Sequence, residues 1–126
     1  MERSFLADVK MNGAIIRNAN LRETYLQFFI WSDVDFTGSD FSVSVDYDSS
    51  LTCSSWFRRC NFTDTIWANT YLDEVNFVEC NFTNVNFINV GCLNVTFSRC
   101  IFTGASKDGL YNDWSFGNRF IDFIDE

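Results

Sequence analysis

Residues 55–63 read SWFRRCNFT, residues 75–83 read VNFVECNFT, and residues 95–103 read VTFSRCIFT. Laid over one another, they share Phe57, Phe77 and Phe97 in one slot and Cys60, Cys80 and Cys100 in a second. Phe62, Phe82 and Phe102 fill a third. A fixed repeat of this length decides the architecture ahead of local propensity, because each unit buries its apolar face against the next.

A finer period of five runs inside the longer one. Large apolar residues recur at Phe57, Phe62, Trp67, Leu72, Phe77, Phe82, Phe87, Phe97 and Phe102, with Cys92 in the same series. Two places before each stands a small or β-branched residue, such as Ser55, Cys60, Thr65, Val75 or Cys80. A helix needs apolar recurrence near 3.6 and a half-buried strand alternates at 2. A period of five fits a chain that turns a corner every five residues and sends two side chains inward per side. Four such sides account for the longer period. The rhythm extends back through Phe41, Phe36, Trp31, Leu26, Leu21, Ile16, Met11 and Leu6. Phe29 and Thr24 break the small-residue pattern, so distortion is expected near 24–31.

The pattern resembles the pentapeptide-repeat family, whose motif is a small residue, Asn or Asp, Leu or Phe, and two variable residues. Ala19-Asn20-Leu21, Val34-Asp35-Phe36 and Ser39-Asp40-Phe41 are its best local matches. The chain departs from the family in using Cys, Val and Thr where Ala is favoured, and Phe more than Leu. The resemblance implies an all-β fold, a right-handed quadrilateral β-helix of about five coils. At roughly 4.8 Å per coil, the regular part would be about 24 Å long. The repeat domain is expected over residues 1–103 and a C-terminal cap or dimerisation tail over 104–126.

The rhythm slips once. Phe41 and Tyr47 are six apart, and Val45-Asp46-Tyr47 resumes the pattern. One extra residue is expected near Ser42–Ser44 within an irregular stretch at 42–54, with Tyr47 and Thr52 opening successive sides. The stretch reads either as a tolerated bulge or as a protruding loop that contacts a partner. The tail contains Trp114, Phe116, Phe120, Phe123 and Ile124. Phe120, Phe123 and Ile124 would share one face of a short helix. That tail either covers the last coil or also joins two rods end to end, as the resemblance to gyrase-inhibiting members implies.

The 126 residues fit one domain. No His is present, which removes Ser–His and Cys–His nucleophilic pairs. There is no glycine-rich phosphate loop. The five cysteines form no CxxC pair, so neither a zinc site nor a disulfide framework is signalled. Cys60, Cys80 and Cys100 read as a buried column, Cys92 as buried, and Cys53 as the most exposed thiol. No enzyme activity, cofactor or metal is expected. Asn61-Phe62-Thr63, Asn81-Phe82-Thr83 and Asn94-Val95-Thr96 match a glycosylation pattern that the repeat generates by itself. No basic segment leads into a long apolar run, so a cytoplasmic location is expected, without membrane contact.

Seventeen Asp and Glu against nine Lys and Arg give a formal net charge of −8. That balance argues against direct nucleic-acid binding. It also suggests DNA mimicry. Duplex DNA carries one charge per about 1.7 Å, so a 24 Å rod matches a segment with about fourteen charges. The resemblance implies the same, because acidic members occupy the DNA site of gyrase. The expected function is a non-enzymatic inhibitor that fills the DNA groove of a topoisomerase or phage-defence nuclease complex, with a phage or mobile-element origin. Asp33, Asp35, Asp40, Asp46, Asp48, Asp64, Asp73 and Glu74 are the expected contact residues. Arg59, Glu79 and Arg99 share one column and read as structural. The competing function is a protein-interaction scaffold unrelated to DNA, docking through residues such as Tyr71, Val78 or Ile88.

Overall fold

The computed structural model describes residues 5–7, 10–23, 25–27, 30–42, 55–93, 95–106, 110–112 and 119–121. Its defining local feature is a backbone corner two places after each large apolar residue. Gly13, Asn18, Glu23, Asp33, Gly38, Arg59, Asp64 and Asn69 all have φ between 50° and 75°. Glu74, Glu79, Asn84, Asn89, Arg99 and Gly104 continue the series. One left-handed residue in every five bends the chain and returns it to an extended path. Gly, Asn and Asp accept this conformation readily, and Arg and Glu do so at a cost. Gly38 has a second constraint, since a Cβ there would run into the side chain of Asn18 one level away.

Between corners the chain forms short strands. β1 (Phe5–Ala7), β2 (Lys10–Asn12), β3 (Tyr25–Gln27) and β4 (Ile30–Ser32) come first. β5 (Ser55–Arg58), β6 (Ile66–Ala68), β7 (Tyr71–Asp73), β8 (Val75–Val78) and β9 (Asn86–Ile88) follow. β10 (Val90–Leu93), β11 (Thr96–Ser98), β12 (Leu110–Asn112) and β13 (Arg119–Ile121) complete the described set. All pairings are parallel. The strands stack into four faces. The first is the six-stranded ladder β2-β4-β5-β8-β11-β13. The second is a column of bridges through Ile15, Asp35, Asn61, Asn81 and Ile101. The third holds β6 and β9, extended by bridges at Asn20, Asp40 and Ser106. The fourth holds β1-β3 and β7-β10-β12. This is the all-β, four-sided helix that the periods of five and twenty predict. The first face has one level more than the five coils expected.

Phe57, Phe77 and Phe97 are register partners and their rings stack, with centroids 5.1 and 4.9 Å apart and planes within 7°. Phe36, Phe62, Phe82 and Phe102 form a second stack at 5.3, 5.0 and 5.3 Å. A third column runs Phe41, Trp67, Phe87, less evenly, at 4.6 and 6.4 Å. The fourth is smaller, with Leu72 against Cys92. Three aromatic columns and one aliphatic column fill the square interior. Each aromatic contact adds about 0.5–1.5 kcal/mol beyond its buried area. The core thins toward the N-terminal levels, where Met11 and Ile16 are only partly buried.

The small inward positions behave as expected. Cys60, Cys80, Cys92 and Cys100 are buried thiols. The Cys60, Cys80 and Cys100 thiols donate to the carbonyls of Trp31, Phe57 and Phe77 at 3.4, 3.3 and 3.4 Å, tying adjacent levels. Burial pushes the Cys80 thiol well up and the Cys92 thiol to about 12. Both therefore stay protonated and act as small hydrophobes. Buried hydroxyls are also satisfied. Ser39 Oγ donates to the Ile16 carbonyl at 2.8 Å and Thr65 Oγ1 to that of Phe62 at 2.6 Å. Among the described residues, no buried side-chain nitrogen or oxygen lacks a partner. Cys53, Thr24, Phe29, and residues 43–54 generally lie outside the described residues.

The register corrects two expectations. Partners are twenty apart in most of the rod, but Trp31 pairs with Phe57 and Asp35 with Asn61, a spacing of 26. Phe41 likewise stacks on Trp67. The one extra residue expected is thus replaced by six, and Tyr47 and Thr52 themselves lie outside the described residues. The coil from β4 to β5 carries six residues more than the twenty-residue coils on either side of it, and the last, from β11 to β13, carries three more. The second correction concerns the tail. Arg119–Ile121 is a strand, with Phe120 paired to Phe97. Leu110–Asn112 pairs with Val90–Cys92. The helical reading of Phe120 is replaced by a further level of the solenoid, and no helix occurs among the described residues. Trp114, Phe116, Phe123 and Ile124 lie outside them.

Two stability outcomes follow from this packing. Phe77→Ala removes a ring sandwiched on both sides, so chemical denaturation should show a loss of about 3–5 kcal/mol. Glu74, held at φ 55°, strains the backbone. Glu74→Asn should raise stability by about 0.5–1 kcal/mol, read as a higher melting temperature.

Candidate protein-interaction surface

With its interior filled, the rod presents chemistry only outward, at corners and at the two exposed positions of each side. The corner between the first and second faces is a ladder of alternating charge. Arg59 Nε donates to Asp33 Oδ1 at 2.8 Å, and Nη2 to Oδ2 at 3.1 Å. One level on, Arg99 Nη2 meets Glu79 Oε1 at 3.2 Å. The Arg59 guanidinium holds the Asp33 carboxyl below the usual carboxylate range, and Asp33 in turn raises Arg59. The structural reading of Arg59, Glu79 and Arg99 stands. Asp33, expected as a partner contact, belongs to the same ladder. Its place there depends on the 26-residue coil.

Asp35 and Asp40 occupy the Asn-like slot of the repeat, where the side chain closes a turn. Asp35 Oδ1 accepts from the Thr37 amide at 3.0 Å and from Thr37 Oγ1 at 2.6 Å. Asn61 makes the same pair of bonds with Thr63 at 3.0 and 2.6 Å. Asp40 Oδ1 accepts from the Ser42 amide at 2.9 Å. These turns explain why Asn-Phe-Thr recurs without reference to glycosylation. The outer oxygens are engaged as well: Arg17 meets Asp35 at 2.6 Å and Arg22 meets Asp40 at 3.5 Å. With side chains 19% and 24% exposed, against 47% for Asp33, both are set back from the surface. Arg17 and Arg22 were not foreseen as partners. The pairs span 18 residues, a diagonal that the twenty-residue columns do not display.

Asp64 and Glu74 are exposed corner residues and make no ion pair among the described residues. Asp35, Asp40 and Asp64 gather around the corner between the second and third faces. Glu74 stands at the corner between the fourth and first. Asp73 lies in β7, with its side chain outside the described atoms. Asp46 and Asp48 also lie outside the described residues. The expected carboxylates thus do not form one patch. They ring the rod over two levels, three of them already bonded to arginine. Ile88, an expected docking residue, and Ile66 are about half exposed and lie diagonally on adjacent strands of the third face. Val78 and Ile101 are half-buried. No cluster of three or more potential metal ligands occurs among the described residues.

The double role of Asp35 gives a graded outcome. The first cause of its lowered pKa is the Thr37 hydroxyl, with the Thr37 amide and then Arg17 adding to it against the opposing effect of burial. A carboxylate held below its unfolded value adds stability that is full above about pH 4 and fades as pH falls through the folded value. Asp35→Asn keeps the turn, as Asn61 does, so it should cost little at pH 7 and flatten the acid limb of the stability curve. Asp35→Ala should cost about 1 kcal/mol at pH 7 and less at pH 3. Urea melts at pH 3 and pH 7 check both.

The fold is shared with known proteins. A crystal structure of the pentapeptide repeat protein Rfr23 from the cyanobacterium Cyanothece 51142 superposes with a TM-score of 0.72 at 14% identity. The match covers 97% of this chain and 91% of that one. QnrB1, a plasmid-mediated fluoroquinolone resistance protein, superposes in a trypsin-treated form with a TM-score of 0.71 at 15% identity. There the match covers 94% of this chain and 66% of QnrB1. No curated protein matches by sequence. The family model for pentapeptide repeats matches residues 57–90 and 68–104, in eight copies. Repeat, register and fold thus agree with the pentapeptide-repeat pattern, which the family model finds over residues 57–104.

Proposed function

We propose that this chain is a non-enzymatic, cytoplasmic inhibitor that occupies the DNA groove of a DNA-binding protein, such as a topoisomerase or a phage-defence nuclease complex. The observation that carries this reading is a stiff column whose excess of carboxylates is spaced by the backbone. The first face stacks six levels, and five steps of about 4.8 Å give a rod about 24 Å long. A duplex segment of that length carries about fourteen charges, and the chain has seventeen carboxylate side chains. The frame fixes these groups before binding, so little ordering entropy opposes association. Asp64 and Glu74, unpaired at corners, are the strongest contact residues. Asp33, Asp35 and Asp40 contribute through their outer edges, where a basic groove can compete with Arg59, Arg17 and Arg22.

A specific observation favours the scaffold reading: Ile66 and Ile88 are exposed on adjacent strands of the third face, diagonal to one another in register. An apolar contact there would be insensitive to salt. The two readings separate in one binding series with a captured DNA-binding partner. Mimicry requires affinity to fall steeply between about 50 and 200 mM salt. It also requires duplex DNA to compete, and Asp64→Asn with Glu74→Gln to weaken binding about 3–10-fold. Salt-independent binding that is lost in Ile88→Asp and indifferent to DNA would replace mimicry with a scaffold.

A further inference from the structure

The negative chain concentrates its positive charge. Five of its nine Lys and Arg residues lie on the first face or its corner: Lys10, Arg58, Arg59, Arg99 and Arg119. Arg119 stands at the register position after Trp56, Asn76 and Thr96. Three of them, Arg58, Arg59 and Arg99, line an open groove of about 450 Å³. Trp56 and Arg58 lie at one end, Asn76 and Val78 in the middle, and Arg59 and Arg99 along the corner. Arg58 makes no ion pair among the described residues. Its guanidinium carbon lies 4.9 Å from the centre of the Trp56 ring, a cation–π contact.

We infer that this groove binds an acidic peptide segment of a partner protein, with carboxylates three residues apart. Stacking on Trp56 holds the Arg58 plane and leaves its N–H edge free for a carboxylate fork. Arg59 and Arg99 each use part of a five-donor fork on Asp33 and Glu79, so they retain donors. Arg58 and Arg99 are two levels apart, about 9.6 Å along the rod. A polyproline-type strand places residues i and i+3 on one side, about 9.3 Å apart. Two such carboxylates bridge Arg58 and Arg99, and an intervening aliphatic side chain rests on Val78. A long nucleic acid is disfavoured, because the net charge of −8 repels a polyanion beyond the groove. Apart from Asp33, which pairs with Arg59 at the shared corner, this surface is separate from the carboxylates of the proposed DNA mimicry. It gives one rod two kinds of contact, an acidic side for a basic groove and a basic face for an acidic segment.

The test is a titration of the intact chain with the capped peptide Glu-Leu-Pro-Glu-Leu-Pro-Glu, followed by the Trp56 indole resonance. Its Gln-for-Glu counterpart, inorganic phosphate and oligo-dT serve as competing ligands. The acidic peptide should bind at least tenfold more tightly than the Gln version and than either of the other two. Arg58→Ala should cost about tenfold. Arg58→Lys should also weaken binding, since it keeps the charge and loses the planar stack. Because Arg58 is exposed, an unchanged melting temperature in both variants confirms that folding is intact. Equal binding of the Gln peptide, tighter binding of oligo-dT or phosphate, or indifference to Arg58→Ala would overturn the assignment. Self-association abolished by Arg58→Ala would give the groove to a second copy and would overturn it too.

Discussion

Each level of this rod is held by the hydrogen bonds it exchanges with the levels on either side. The amide of Asn61 donates to the carbonyl of Val34 at 2.9 Å, and that of Phe62 to the carbonyl of Asn81 at 2.7 Å. That vertical bonding fixes the separation near 4.8 Å, and the separation dictates what can stand inside. Flat rings stack at nearly that distance, so Phe columns fit with little strain. Branched residues and thiols fit the inner corners, where space is narrower. Backbone spacing, side-chain choice and corner geometry are thus one constraint seen from three sides. The rod is stiff for the same reason, since bending would open the ladder on one face and crowd rings on another.

Stiffness is what gives the surface its meaning. Side chains on a mobile loop lose entropy on binding, whereas those on this frame already stand at fixed intervals. The frame also distributes charge unevenly around the rod. Arg58, Arg59 and Arg99 line the first face and its corner, Asp35, Asp40 and Asp64 gather around the corner between the second and third faces, and ion pairs to Asp33, Glu79, Arg17 and Arg22 run through both. A net charge of −8 therefore describes no single surface of the molecule.

Much of the fold was legible in the sequence because its signal is periodic. Phe57, Phe77 and Phe97 recur at twenty and stack at twenty. The departures were hidden wherever the period changes. Six additional residues between Phe41 and Phe57 obscured the pairing of Trp31 with Phe57, and with it the place of Asp33 beside Arg59. Phe97 and Phe120 are 23 apart, so the tail lost its rhythm and read as a helix. The candidate surface was less legible. A carboxylate that points outward and one that also closes a turn look alike in sequence, and only the bonds of Asp35 and Asp40 tell them apart. Arg58 over Trp56 left no periodic trace, because the stack occurs at a single level.

The long coil has a consequence for how such a molecule changes over time. Faces before and after it remain in register, although the coil between them is almost a third longer than its neighbours. Contacts in this architecture are made only with the adjacent storey, so extra length in one coil is not transmitted to the rest. New sequence can be grafted at that point without asking the frame to adapt, and a new recognition element can be tried there while the column keeps its shape.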